Sequence, residues 1–202
     1  MNKKGMLFVV SGPSGCGKGT VLGEILKDDR FYYSVSATTR SPREGERDGV
    51  NYHFLTREKF EELIGNGEML EYAEYCGNYY GTPLTYIDKK LSEGKHVILE
   101  IEVQGAMNVR KLRDDAVLIF ILPPSLKELR RRLEKRGTES AEVVEKRISA
   151  ASEEIRTADK YDYIMINGEL EKAVEDFRSI ITAAEMYSGN NKYLIDEVLN
   201  DA

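Results

Sequence analysis

The sequence predicts an α/β protein, a parallel sheet with helices on both faces. Three observations carry that expectation. Four apolar runs, MLFVVSG (6–12), HVILEI (96–101), AVLIFILPP (116–124) and YDYIMIN (161–167), have the unbroken hydrophobicity of strands buried on both sides. Segments of helical period lie between them. The first run ends in glycines and opens into a helical pattern, the local order of a parallel βα unit.

Taken in order, GTVLGEILK places Val21, Leu22, Ile25 and Leu26 at helical spacing. Residues 34–87 have a different texture. There SVSATTRSPREGERDGVNYHFLT and EMLEYAEYCGNYYGT alternate apolar with polar residues, which predicts a smaller, more exposed, antiparallel-rich insertion. Within it, RSPREGERDG reads as a polar loop. SLKELRRRLEKR (125–136) and SAEVVEKRISAASEEIRTA (140–158) are helical, and a last helix aligns Leu170, Val174, Phe177, Ile181 and Ala184. The tail SGNNKYLIDEVLNDA follows a turn and has room for one short extra helix.

Composition bounds the function. A chain of 202 residues, 41% hydrophobic and 32% charged, suffices for one α/β domain with a sizeable core. A net charge of −6 argues against non-specific nucleic-acid binding, so any anion site must be a local cluster of Lys and Arg. Two cysteines, no signal-like start and no run of 18 apolar residues point away from membranes and toward a reducing compartment, the cytoplasm.

The chemistry begins at GPSGCGKGT, residues 12–20. Gly12, Gly17 and Lys18 satisfy the spacing of a phosphate-binding P-loop, G-x-x-x-x-G-K. The loop, made of Gly12, Pro13, Ser14, Gly15, Cys16, Gly17, Lys18, Gly19 and Thr20, lies between a strand and a helix. Backbone N–H groups and the helix dipole there attract phosphate, as in an ATP site. Gly19 stands where Ser or Thr usually holds magnesium, and the hydroxyl comes one residue later, at Thr20. A magnesium ion would then depend on phosphates, water and a carboxylate elsewhere. Cys16 reads as filling a tolerant position; the alternative is a reactive thiol, its pKa lowered by the helix N-terminus. His53 and His96 have no partners at metal spacing and read as structural.

Arg40 and Arg43, three residues apart, suit two guanidinium groups on one phosphate. Glu100 and Glu102, two apart at the end of a strand, are expected on one sheet face. SVSATTRSPREGE, GNYYGTP, LEIEVQGA, PPSLKELRRRLEKRGTES and the P-loop occur in the order found in guanylate kinases. From about residue 6 to 187 the chain resembles that family in its bacterial form.

The resemblance implies a P-loop NTPase parallel sheet flanked by helices, with an inserted GMP-binding subdomain and a helical lid. The core would be 1–33, 88–124 and 159–202, the insertion 34–87 and the lid 125–158. It implies ATP with Mg2+ as phosphoryl donor and GMP, with dGMP, as acceptor. Ser36, Arg40, Arg43, Tyr52 and Tyr80 would contact the GMP phosphate, Glu71 and Thr82 the base, and Glu102 the guanine amino group. Glu100 would serve magnesium through water. Arg132, Arg136 and Arg147 would close over ATP and join Lys18, Arg40 and Arg43 as the catalytic set; Asn167 would contact adenine or support the site.

The base assignment fits the chemistry. Guanine offers N1–H and N2–H₂ donors to one carboxylate and an O6 acceptor to a hydroxyl, whereas adenine mispairs with both. The chain departs from the family at Thr82, often Ser, and at Glu100 and Glu102, where many members carry Asp. Two other readings compete. A guanylate-kinase-like module that holds a phosphopeptide would lack the P-loop and lid arginines present here. A kinase for another acceptor would not need Glu71 with Thr82. Oligomeric state stays open between monomer and homo-oligomer.

Overall fold

The structure, a computed structural model, describes residues 4–75, 77–135 and 140–200. Its main sheet has five strands, β1 (Leu7–Ser11), β2 (Phe31–Tyr33), β7 (His96–Glu100), β8 (Val117–Leu122) and β9 (Tyr163–Ile166), in the order β2-β7-β1-β8-β9. Every pairing in it is parallel. Four strands match the apolar runs. The edge strand β2 carries only three residues, none of them buried, and leaves no such run.

Alternation along the strands explains the unbroken hydrophobicity. Phe8, Val10, Ile98, Ile119 and Ile121 point to one face, packed by Val21, Leu22 and Ile25 of α1 (Lys18–Ile25) and by Phe177 and Ile181 of α7 (Leu170–Met186). Leu7, Val9, Val97, Leu99, Leu118 and Phe120 point to the other. They are covered by Ile87 and Leu91 of α3 (Leu84–Ser92) and by Ala106 and Val109 of α4 (Val103–Leu112). With both faces buried, successive residues are all apolar.

A second sheet, in the order β4-β3-β6-β5, contains β3 (Ala37–Thr38), β4 (His53–Phe54), β5 (Met69–Tyr75) and β6 (Asn78–Pro83). Its β3–β6 and β5–β6 pairings are antiparallel and its β3–β4 pairing is parallel. Helix α2 (Arg57–Gly65) packs on it through Phe60 and starts at Thr56, whose hydroxyl accepts from the Lys59 N–H. The sheet ends at Pro83, and Ile87 and Leu91 of the helix that follows pack on the main sheet. Helices α5 (Leu126–Lys135) and α6 (Ala141–Ile155) share a small cluster of Leu129, Leu133, Val144 and Ala151. The tail forms α8 (Tyr193–Asn200).

Both histidines sit in packing roles. His96 Nδ1 accepts from the Met6 N–H at 3.1 Å, so Nε2 carries the proton toward Glu185 at 2.9 Å. The His53 ring stacks on Tyr86 at 4.5 Å. Among the described residues no group of three or more His, Cys, Asp or Glu is placed to hold a metal, and no helix is long and apolar enough to cross a membrane.

Candidate active site

The loop from Gly12 to Gly17 leaves β1 and turns into α1, whose first residues are Lys18, Gly19 and Thr20. Its shape depends on glycine. Gly15 and Gly17 have φ of 92° and 93°, a region closed to most side chains. A Cβ on Gly17 would lie 2.3 Å from Asn167 Nδ2, and one on Gly15 would lie 2.8 Å from Leu133 of α5. Lys18 Nζ donates to the carbonyls of Gly12 at 2.6 Å and Pro13 at 3.4 Å, holding its charge across the loop.

Two side chains fasten the outer carbonyls of the loop. Asn167 Nδ2, buried just beyond β9, donates to Cys16 O at 2.9 Å and Gly17 O at 3.4 Å. Arg132 donates to Cys16 O at 3.0 Å, to Asn167 O at 2.9 Å and to Glu128 at 2.9 Å. Arg131 and then Arg132 hold the Glu128 carboxyl down at about 2, ionised at any ordinary pH. Arg147 donates to Ser14 Oγ at 2.8 Å. Arg136 lies outside the described residues. The bonds to Cys16 O predict that Asn167→Ala costs about 1–3 kcal/mol, because that buried carbonyl loses a partner. Urea denaturation measures this loss, and an unchanged midpoint would refute the anchoring role.

Cys16 corrects the reactive-thiol alternative. Its side chain turns into the core beside Val10 and Val21, with no exposed surface. Burial pushes the thiol up, and the nearby Lys18 offsets only part of that rise. The helix terminus acts on groups in the cleft, and this sulfur points away from it.

The loop opens on a cleft of about 510 Å³ lined by Ser14, Lys18, Gly19, Thr20, Tyr33 and Glu100. A second cleft of about 690 Å³ adjoins it, lined by Ser36, Tyr52, Glu71, Tyr80 and Asn108. Glu100, Ile101 and Glu102 line both. Glu102 is not a strand residue beside Glu100, as the spacing suggested, because β7 ends at Glu100 and Glu102 caps α4.

In the second cleft Glu71 is a half-buried carboxyl. It stands opposite Thr82 in the β5–β6 ladder, and Thr82 Oγ1 donates to Glu71 Oε1 at 2.6 Å. Burial raises the Glu71 carboxyl above its ordinary 4.5, and the Thr82 hydrogen bond opposes the rise. Arg40 lies over the Tyr52 ring at 5.6 Å, and Tyr52 meets Tyr80 edge-on at 6.0 Å. Arg43 is exposed further out in the loop.

Sequence reasoning passed over Glu46, which grips Arg40 NH2 through both carboxylate oxygens at 2.9 Å and accepts the Arg43 N–H at 2.7 Å. The available signal was a carboxylate three residues after Arg43 in a loop of turn formers. It also passed over Gln104, Gly105 and Asn108, which the start of α4 brings to the second cleft.

A P-loop on one cleft, and a carboxylate-and-hydroxyl pair on a second that meets it at Glu100, are the features of a P-loop kinase. The guanylate kinase family model matches residues 4–184. A guanylate kinase from Lactococcus lactis is 53% identical over 98% of this chain and 94% of its own length. Another from Halalkalibacterium halodurans is 55% identical over 90% and 89%. The crystal structure of guanylate kinase from Anaplasma phagocytophilum superposes with a TM-score of 0.71 at 34% identity, covering 93% of this chain and 89% of that one. The chain belongs to the guanylate kinase family.

Proposed function

We propose that this chain transfers the γ-phosphoryl group of ATP to GMP, and also to dGMP, giving ADP and the diphosphate. The observation that carries this reading is the Glu71–Thr82 pair, set in a cleft that joins the P-loop cleft at Glu100. Guanine N1–H and N2–H₂ would take over the Glu71 carboxylate, and O6 the Thr82 hydrogen, with Glu102 near the amino group. Ser36, Tyr52, Tyr80, Arg40 and Arg43 would hold the GMP phosphate. On the other side the P-loop, Lys18, Arg132, Arg136 and Arg147 would hold ATP.

The reaction needs positioning and charge neutralisation more than proton transfer. A GMP phosphate oxygen, already ionised, forms the new bond to the γ-phosphorus as the bond to the β-phosphate oxygen breaks and ADP leaves. Glu100 carboxylate and Thr20 hydroxyl face the P-loop cleft, and Gly19 adds no oxygen. Hard oxygen donors of this kind fit magnesium held mainly by phosphates and water, with Glu100 in its outer shell. When bound, that ion supplies neutralisation of the phosphate charge. Movement of 34–87 and 125–158 over the clefts would exclude water. A buried, reduced Cys16 is in keeping with a cytoplasmic setting.

A coupled assay for ADP release across GMP, dGMP, AMP, UMP and CMP tests the reading. GMP and dGMP should be turned over efficiently and the others poorly; equal turnover of AMP would overturn it. Glu46→Gln loosens the Arg40 clamp and should raise KM for GMP by about tenfold at unchanged melting temperature. An unaltered KM would mean that Arg40 needs no such support.

A further inference from the structure

Tyr33 is the last residue of β2, and no role above uses it. It pairs with Ile98 in the parallel ladder, so it shares the sheet face on which Ile98 and Glu100 both stand. From there its hydroxyl reaches one pleat along and donates to Glu100 Oε2 at 3.3 Å. The ring lines the P-loop cleft together with Lys18, Gly19 and Thr20. Tyr33 thus holds Glu100, a residue that lines both clefts.

Two features of this chain give that contact work to do. Gly19 removes the hydroxyl that usually fixes the ion beside the P-loop, so more depends on the carboxylate at 100. That carboxylate is a glutamate, with one more rotatable bond than aspartate, and an unanchored glutamate would sample several orientations. A phenol donating to one of its oxygens selects among them.

We propose that Tyr33 is a positioning residue that anchors Oε2 of Glu100 and so presents the other oxygen to the hydration shell of magnesium bound with ATP. This rests on the placement of Glu100 at magnesium in the function proposed above. Tyr33→Phe keeps the ring and removes only the donor. The decisive measurement is calorimetric binding of the β,γ-imido analogue of ATP, with magnesium and with EDTA, to wild type, Tyr33→Phe, Glu100→Gln and the double variant.

Tyr33→Phe should bind the analogue like wild type in EDTA and about tenfold more weakly with magnesium, the size expected for a hydrogen bond to a charged group. Its half-saturating magnesium concentration in turnover should rise by a similar factor, with KM for GMP within about twofold. In the Glu100→Gln background the same change should add nothing. Equal weakening with and without magnesium, or the same loss in that background, would overturn the proposal and leave Tyr33 as packing. If Glu100→Gln itself keeps its magnesium dependence, the placement of Glu100 fails and the proposal fails with it. If Glu100→Gln is impaired and Tyr33→Phe is not, the proposal alone fails.

Discussion

Replacing Lys18 with methionine lowers kcat by about 10³-fold or more, because the loop loses its one side-chain charge at the phosphates. Lys18 leaves the first turn of α1, and its ammonium spans the Gly12 and Pro13 carbonyls. Both carbonyls lie on the loop itself, so the charge is held at the mouth of the anion site before substrate arrives. Charge held in advance stabilises a transition state without reorganisation during the reaction. Methionine keeps much of the aliphatic stem, and the core beneath α1 is made by Val21, Leu22 and Ile25. The melting temperature should therefore stay within about 2 °C of wild type, a shift corresponding to at most about 1 kcal/mol. Steady-state kinetics beside a thermal melt reads both quantities. Near-normal turnover, or a large loss of stability, would contradict the role given to Lys18.

Glu71→Gln lowers kcat/KM for GMP by roughly 10²–10³-fold. Glutamine retains an oxygen for Thr82 but turns an NH₂ toward guanine donors, replacing an ionic acceptor by a donor clash. The fold should not suffer. Burial raises the Glu71 carboxyl in the native state, so ionising it at neutral pH works against folding, and a neutral isostere removes that cost. The same shift sets a pH dependence. Only the ionised form offers acceptors alone to both guanine donors, so GMP affinity should rise as pH climbs from 4.5 through the raised value and then level off. The GMP phosphate titrates as well, so the informative quantity is the ratio of wild-type to Glu71→Gln affinity against pH. A flat ratio would remove Glu71 from base recognition.

The P-loop and the sheet were legible because their physics is local. A strand buried on both faces must be apolar at every position, as Val9 and Val10 are, and a loop that wraps phosphate needs glycine where φ is positive, as at Gly15 and Gly17. Elements that bury little were not legible. The edge strand β2 has no buried residue, and α2 buries only Phe60, with Leu63 and Ile64 half-buried beside it. Helices α3 and α4 each bury two residues, too few to set a period over nine or ten positions.

Relations between distant residues were the least visible. Nothing in the sequence aims Asn167 at Cys16 O, across 151 positions, or Tyr33 at Glu100. Thr82 and Glu71 became a pair through a ladder with an irregular register between Met69 and Glu71, which no alternation pattern records. Cys16 shows the opposite case. Its sequence position beside a helix terminus suggested one chemistry, and its direction into the core imposes another.

The central claim is that one cleft takes ATP, the other takes GMP, and the two meet at Glu100. A dinucleotide joining adenosine and guanosine 5′ to 5′ through a pentaphosphate, one phosphate more than ATP and GMP carry together, tests it directly. Calorimetry should find one molecule bound per chain, more tightly than either nucleotide, and displaced by both ATP and GMP. Binding no tighter than ATP alone, or displacement by only one of the two nucleotides, would contradict the account.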